Sequence, residues 1–490
     1  MTNKLLVLFA ASTAVLFTAR SWADVRLPRL VGDHMVLQRD AKLSVWGWAA
    51  PGEKIQIQVR SQHVTTRADA RGQWSASMGP FTAGGPYDMT VSGKNTVVLH
   101  DVLVGDVWLA SGQSNMEFPL QGSGEWKTGV YHAETEVSAA NYPRVRLFKV
   151  HQKVAFRPAK DVDADGWVAV TPETVGNFSA VAYLFGRELH ERYRIPVGMI
   201  ETDWGGTVAE AWVSEAGLKA FPEFREPIDS VFRANEKAVA ADAISKLISD
   251  PNRPTVLFNS MIDPLIHFRI KGVIWYQGEA NAMDNRSAQY RRLFPALIED
   301  WRSHWGYEVP FFFVQLAGYG HNEVEPAEYP WADLREAQSM TLSLPATGMA
   351  TAIDIGDEND IHPKDKQDVA HRLVLAAANG VYGDNVVYSG PTYQSMQIEG
   401  SRIRIKFSNI GSGLLIEDKY GYGRGFEIAA GDGKFRWAQA QKEGHDIVVC
   451  NDAISQPVAV RYDWSNTPDG NVYNKEGLPA LPFRTDAPKH

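Results

Sequence analysis

The apolar, strand-like run Asp106-Val107-Trp108-Leu109-Ala110-Ser111 ends in Gly112-Gln113-Ser114-Asn115-Met116, which sets the Ser114 hydroxyl at the end of a predicted central strand. Open α/β sheets keep their sites at such strand ends. A serine hydroxyl is a weak nucleophile at neutral pH; it needs a base to take its proton, a group to orient that base, and donors for the oxyanion. The chain offers candidates for each. Residues 354–363, Asp-Ile-Gly-Asp-Glu-Asn-Asp-Ile-His-Pro, place His362 among several carboxylates, and Val273-Ile274-Trp275-Tyr276 is a second apolar run, ending in Gln277-Gly278-Glu279-Ala280-Asn281. A third, Ile195-Pro196-Val197-Gly198-Met199-Ile200, leads through Glu201-Thr202-Asp203 into Trp204-Gly205-Gly206-Thr207 and a predicted helix at 208–213. Strand, paired glycines and helix in that order present backbone N–H groups to an anion. The serine comes first in the chain, the acids and histidine last.

Each fragment alone has a plainer use. A serine after Gly-Gln is commonly a turn hydroxyl, a histidine before proline a surface residue at a helix start, and a Gly pair at a strand end a steric convenience. The acidic run 354–360 alternates oxygen ligands in a way that would suit Ca²⁺, but the position-12 glutamate and glycine spacing of an EF-hand are absent, so no metal is expected. A lipase would carry Gly-x-Ser-x-Gly; here the residue two after Ser114 is Met116.

The elements that must position these groups fall into three regions. From 25 to 104, short alternating runs such as Lys42-Leu43-Ser44-Val45-Trp46-Gly47-Trp48 and Lys54-Ile55-Gln56-Ile57-Gln58-Val59 flank the turn Pro51-Gly52-Glu53, and predict a small β-sandwich. It shows no titratable cluster and reads as a structural or glycan-positioning module. From 105 to 385, continuous apolar strands alternate with helices, which predicts a parallel sheet covered on both faces. Residues 221–253 are charged and alanine-rich and read as a helical surface insertion. From 386 to 490 period-2 runs return, as in Arg402-Ile403-Arg404-Ile405-Lys406-Phe407, and predict a second β-sandwich.

Residues 1–23 read as a secretory signal: Lys4, an apolar stretch from 5 to 17 too short to span a bilayer, and Ser21-Trp22-Ala23 before a start near Asp24. Export to a bacterial periplasm or the exterior is expected, with no membrane attachment after cleavage. The single cysteine, Cys450, excludes an intrachain disulfide and reads as inert core. A net charge of −9 with scattered basic residues argues against nucleic acid or an anionic membrane as partner. Fifteen tryptophans suit sugar-facing surfaces, but a large core explains most of them equally well.

Together, Gly112-Gln113-Ser114-Asn115-Met116-Glu117, Asn259-Ser260-Met261-Ile262, the segment 271–281, Leu334-Arg335-Glu336-Ala337-Gln338, and Asp354-Ile355-Gly356-Asp357 with Ile361-His362-Pro363 resemble the sialate O-acetylesterase family, a branch of the SGNH-type serine hydrolases. Met35-Val36-Leu37-Gln38-Arg39 and Val45-Trp46-Gly47 extend the resemblance to the N-terminal β region. It implies an SGNH-like α/β sheet and hydrolysis of sugar acetyl esters without metal or organic cofactor. Ser114 would be the nucleophile and His362 the general base. The backbone N–H groups of Ser114 and Gly206, or Gly205, with a side-chain amide from 277–281, foremost Gln277, would hold the oxyanion. The wider pattern puts an acid three residues before the histidine, where this chain has Asn359; Asp360 is then the first choice to orient His362, Glu279 its rival, and Asp354 and Asp357 come after them. Asn115, Trp204 and Asn281 are expected against the substrate, and Trp204 and Trp275 are each open to a sugar-facing or a core role. The implied sugar is O-acetylated sialic acid, or a plant-wall polysaccharide such as xyloglucan or xylan. A non-catalytic glycan-binding protein and a different serine hydrolase, such as a peptidase, are the alternatives.

Overall fold

The computed structural model describes residues 24–122, 128–236 and 249–487. The predicted signal segment 1–23 and part of the predicted insertion, 237–248, lie outside the described residues.

The N-terminal region contributes β1 (Val36–Gln38), β2 (Leu43–Trp48), β3 (Lys54–Val59), β4 (Gln62–Arg67), β5 (Gln73–Met78) and β6 (Gly84–Ser92). The next strand, β7 (Thr96–Gly112), is 17 residues long and belongs to two regions at once. Its first residues pair antiparallel with β6 and include solvent-facing side chains, whereas residues 102–112 are all buried. A strand covered on both faces has no polar alternation, so the change of pattern marks where the chain enters the main sheet. The expected boundary between 104 and 105 thus falls inside one strand, and a single hydrophobic core runs from Val25 through both regions.

The main sheet adds β8 (Tyr142–Val150), β9 (Ala164–Val170), β10 (Val197–Asp203), β11 (Gly272–Tyr276), β12 (Phe311–Gln315) and β13 (Thr347–Thr351). Its order is β13-β12-β11-β7-β10-β8-β9, parallel except for the antiparallel edge strand β9. The helices Ala180–Tyr193, Ser287–Trp305, Pro330–Met340 and Lys366–Ala377 accompany it. Trp108 on β7 packs edge-on against Phe185, and Trp275 on β11 against Trp212 and Trp301; both are fully buried, so Trp275 belongs to the core. β7 sits between β10, reached after β8 and β9, and β11, which follows. Chain order therefore departs in both directions from β7, and the crevice at its carboxyl end is where open sheets bind ligands.

Beyond residue 390 the described chain forms further antiparallel sheets of five, four and two strands around a second apolar cluster. Cys450 is half-buried at the end of the strand Asp446–Cys450. Among the described residues no helix is long and apolar enough to cross a membrane.

Candidate active site

Gly112 ends β7 at φ +146°, and a Cβ there would come within 2.1 Å of the Tyr276 carbonyl oxygen. Only glycine lets β7 and β11 approach this closely while the chain turns. Gln113 then fastens the turn: its N–H donates to the Tyr276 carbonyl at 3.0 Å, and its Oε1 accepts from the N–H groups of Gly278 (3.3 Å) and Ala280 (3.2 Å). Ser114 opens a one-turn helix, Ser114–Glu117, at the floor of a cavity of about 1030 Å³.

His362 arrives from the loop between β13 and the helix Lys366–Ala377, and its Nε2 lies 2.9 Å from Ser114 Oγ. With the ring proton on Nδ1, the hydroxyl donates to Nε2, the geometry of a nucleophile and its base. Burial, reinforced by the positive charge of Lys366, pulls His362 down to about 4, against a smaller opposing effect of Asp360. The ring is thus neutral, and a proton acceptor, at ordinary pH. Asp360 Oδ1 accepts the His362 backbone N–H at 2.9 Å and lies 3.8 Å from Nδ1, close enough to favour the imidazolium electrostatically. Asp354 is engaged elsewhere, in a paired contact with Arg372 at 2.6 and 2.9 Å, and Asp357 caps the Asn359 N–H at 2.8 Å.

Glu279 does not take the place of Asp360. Its Oε1 accepts from Asn115 Nδ2 at 2.6 Å, and Asn115 Nδ2 also donates to the Ile361 carbonyl at 2.9 Å. On the other side Lys366 Nζ donates to Asn115 Oδ1 at 2.5 Å, above the rings of Phe118 and Tyr276. Asn115 therefore ties the serine turn to the histidine loop, with its oxygen and nitrogen both engaged inside the protein, and does not line the cavity. Burial drives the two ionisable partners toward neutrality, Lys366 down to about 7 and Glu279 upward.

Two further expectations are corrected by the hydrogen bonding. Gln277 is fully buried, donates through Nε2 to the Thr207 carbonyl (3.1 Å) and Asn281 Oδ1 (2.7 Å), and accepts from the Tyr290 hydroxyl at 3.0 Å. Its amide has no proton left for an oxyanion. Asn281 is equally buried, accepting from the Ala209 N–H at 3.0 Å and donating to Glu210 at 3.4 Å, and does not line the cavity. Both brace the 207–210 segment from below. Trp204, by contrast, is half-buried and lines the cavity.

The glycine turn after β10 closes over the serine. A Cβ on Gly205 would lie 3.3 Å from Ser114 Cβ, and its N–H is occupied by Glu117 Oε2 at 2.6 Å. Gly206 adopts φ +71°, which favours glycine, and lines the cavity. Among the described residues the backbone N–H groups of Ser114 and Gly206 have no acceptor. Gln113 lines the cavity as well, its Oε1 held by two backbone donors and its Nε2 without an acceptor among the described residues. Sequence reasoning gave no role to Gln113, Glu117 and Lys366, although the first two stand in the motif around Ser114 and the third follows His362 by four residues.

The rest of the wall is acidic. Glu117, Glu210 and Asp284 contribute carboxylates, Glu279 a carboxyl group that burial drives toward its neutral form, and the guanidinium of Arg286 is already paired with Glu210 and, at 3.1 Å, with Asp284. Among the described residues no group of three or more His, Cys, Asp or Glu side chains is arranged to hold a metal ion.

A serine–histidine pair in the crevice of a parallel sheet, beside the free N–H groups of Ser114 and Gly206, is the arrangement of a serine hydrolase of the α/β type. Residues 104–378 match the family described as carbohydrate esterase, sialic acid-specific acetylesterase. The sialate O-acetylesterases of Mus musculus and Homo sapiens are each 32% identical over 520 residues, covering 94% of this chain and 94% of theirs. The crystal structure of a carbohydrate acetylesterase from Xanthomonas citri superposes with a TM-score of 0.84 at 41% identity, covering 94% of this chain and 100% of that one. The chain belongs to this carbohydrate esterase family, and its activity is that of a carbohydrate O-acetylesterase.

Proposed function

We propose that this esterase acts outside the cytoplasm on neutral acetylated glycans, such as acetylated xylan or xyloglucan. Ser114 attacks the acetyl carbonyl while His362 Nε2 takes the hydroxyl proton. The N–H groups of Ser114 and Gly206, with Gln113 Nε2, receive the oxyanion; each such donor is worth about 3–4 kcal/mol of transition-state stabilisation. The protonated histidine, eased by Asp360, returns the proton to the departing sugar alkoxide. Water activated by the same histidine then releases acetate and regenerates Ser114. The observation that carries this reading is the 2.9 Å contact between Ser114 Oγ and His362 Nε2.

The choice of a neutral sugar rests on charge. O-acetylated sialic acid carries a carboxylate, and a site for it needs a cation to spare. Among the described lining residues the one arginine, Arg286, serves two acids already, and His362 is held neutral. An anionic sugar would meet like charges, whereas hydroxyl groups find acceptors on every side. Export is supported by the apolar, Lys4-headed segment 1–23.

The test is acetate release by wild type and Ser114→Ala on acetylated xylan, acetylated xyloglucan, O-acetylated sialic acid and an aryl acetate. Wild type is expected to deacetylate a neutral glycan fastest, and Ser114→Ala to lose nearly all activity. A preference for sialic acid overturns the neutral-sugar reading, and an active Ser114→Ala overturns the nucleophile.

A further inference from the structure

A second cleft, of about 590 Å³, lies between the N-terminal β region and the main domain. One wall is the ribbon formed by β2 and β5, in which Trp46 faces Ser75 and Trp48 faces Gln73 across the pair. Register puts directly opposed residues on the same side of a sheet. Ser44, Trp46 and Trp48 therefore share a face with Gln73 and Ser75, which are exposed, while Leu43, Val45 and Trp74 point into the core. A solvent-side face should alternate to polar residues. Here it carries two indoles among serines and a glutamine.

The core accounts for most of Trp46, which is buried with one edge in the cleft, but not for Trp48. Trp46 is held upright by edge contacts to His267 (5.6 Å) and Phe268 (6.4 Å) from the segment before β11, and Trp48 remains half-buried. Ala159, Lys160, Asp263 and His267 complete the lining from the main domain. The charged groups in the lining, Arg67 and Lys160 against Asp69 and Asp263, are balanced in sign. Flat indoles ringed by hydroxyl and amide groups, without an excess of charge, match a neutral sugar, which offers an apolar ring face and an equatorial belt of hydroxyls.

One loop borders both the cleft and the active site. Residues 151–163 form one connection at the carboxyl end of β8; Gln152 lines the catalytic cavity and Ala159 the second cleft. Seven residues separate them, so the two sites are within about 25 Å even along a fully extended chain. The connection is pinned to the 255–260 segment by Ala155 N–H to the Val256 carbonyl (3.1 Å), Ala159 N–H to the Asn259 carbonyl (2.7 Å) and Asn259 Nδ2 to the Ala155 carbonyl (3.2 Å).

We infer that the Trp46–Trp48 face is a non-catalytic subsite for the same neutral glycan chain whose acetyl groups are removed at Ser114. The choice of glycan rests on the functional reading above; the existence of the subsite does not. It holds already deacetylated sugar units, so its contribution appears with polymers and vanishes with small esters.

The test is affinity electrophoresis in deacetylated xylan and in xyloglucan with wild type, Ser114→Ala, Trp48→Ala and Trp48→Phe, alongside hydrolysis of an aryl acetate. Wild type and Ser114→Ala should be retarded equally by at least one polymer. Trp48→Ala should bind about tenfold more weakly, and Trp48→Phe, which keeps a ring, should recover most of that loss. All but Ser114→Ala should hydrolyse the aryl acetate as wild type does, which shows that they fold. The inference is overturned by equal retardation of Trp48→Ala and wild type, or by no retardation of wild type in either polymer. A wild type that is retarded yet releases no acetate from either acetylated polymer would leave the subsite standing and remove only the neutral-glycan substrate.

Discussion

At the scale of residues, the site depends on keeping His362 neutral. Its pKa of about 4 in the folded chain arises from burial first and Lys366 second. The acid limb of kcat/KM should therefore fall near pH 4 rather than near the ordinary histidine value of 6.5. Lys366→Met removes a positive charge from the vicinity of the imidazole, so its limb should shift upward, toward 6.5; a pH–rate profile on an aryl acetate checks it, and an unmoved limb counts against the electrostatic role. Stability carries the matching sign. Between about pH 6.5 and 4 the unfolded chain binds the His362 proton and the folded chain does not, so this group destabilises the fold progressively as pH falls through that window. Of this arrangement the sequence pointed to Ser114 and His362 through motif fragments and to Asp360 through its place two residues before the histidine, and the structure brings the three together. The sequence did not reveal that Asn115 joins Lys366 to Glu279, since that contact links residues 164 and 251 positions apart.

At the scale of elements, the site is two turns locked together. The carboxylate of Glu117 receives the Gly205 N–H at 2.6 Å and Gln152 Nε2 at 2.9 Å, so the one-turn helix after β7 fixes the glycine turn after β10. Glu117→Ala should let the glycine turn drift and reduce kcat about 100-fold with KM little changed, the cost of misplacing an oxyanion donor by about 1 Å. Glu117→Gln, whose amide oxygen can still accept from Gly205, should keep most of the activity. Steady-state kinetics on an aryl acetate separates the two variants. The same scale explains the failure with Gln277. Strand periodicity shows which way side chains point within β11, but the alternation ends at Gly278, with φ +150°, and Gln277 is aimed at Thr207 and Tyr290 instead of the cavity.

At the scale of the whole molecule, the C-terminal sheets are joined to the catalytic sheet through the 334–338 segment, a stretch that the family resemblance singled out without assigning it a task. Arg335 is fully buried and has no salt bridge among the described residues; it donates to the carbonyls of Leu316 (2.8 Å) and Ala317 (3.0 Å) behind β12, and of Ser465 (2.7 Å) and Asn466 (2.8 Å) in the C-terminal region. Burial pulls its guanidinium down to about 9, with Asp463 opposing the shift. Glu336 receives Arg484 through both oxygens at 2.7 Å, a second link across the same seam, and Gln338 ties the Leu316 N–H to the Gln277 carbonyl. Since β12 lies next to β11, whose end holds the floor of the site, the C-terminal region bears on catalysis without supplying a reacting group. Arg335→Met keeps the volume but leaves the Leu316 and Ser465 carbonyls without their donor, at roughly 1–3 kcal/mol for each that stays dry, while Ala317 keeps Trp331 Nε1 and Asn466 keeps the Tyr319 N–H. Thermal unfolding followed by calorimetry should show one main transition in wild type. In Arg335→Met the transition should move to lower temperature and separate in two, because the seam then fails before either core. A single transition at the wild-type temperature would mean that the remaining contacts hold the regions together, and that the buried arginine answers to the sheet alone.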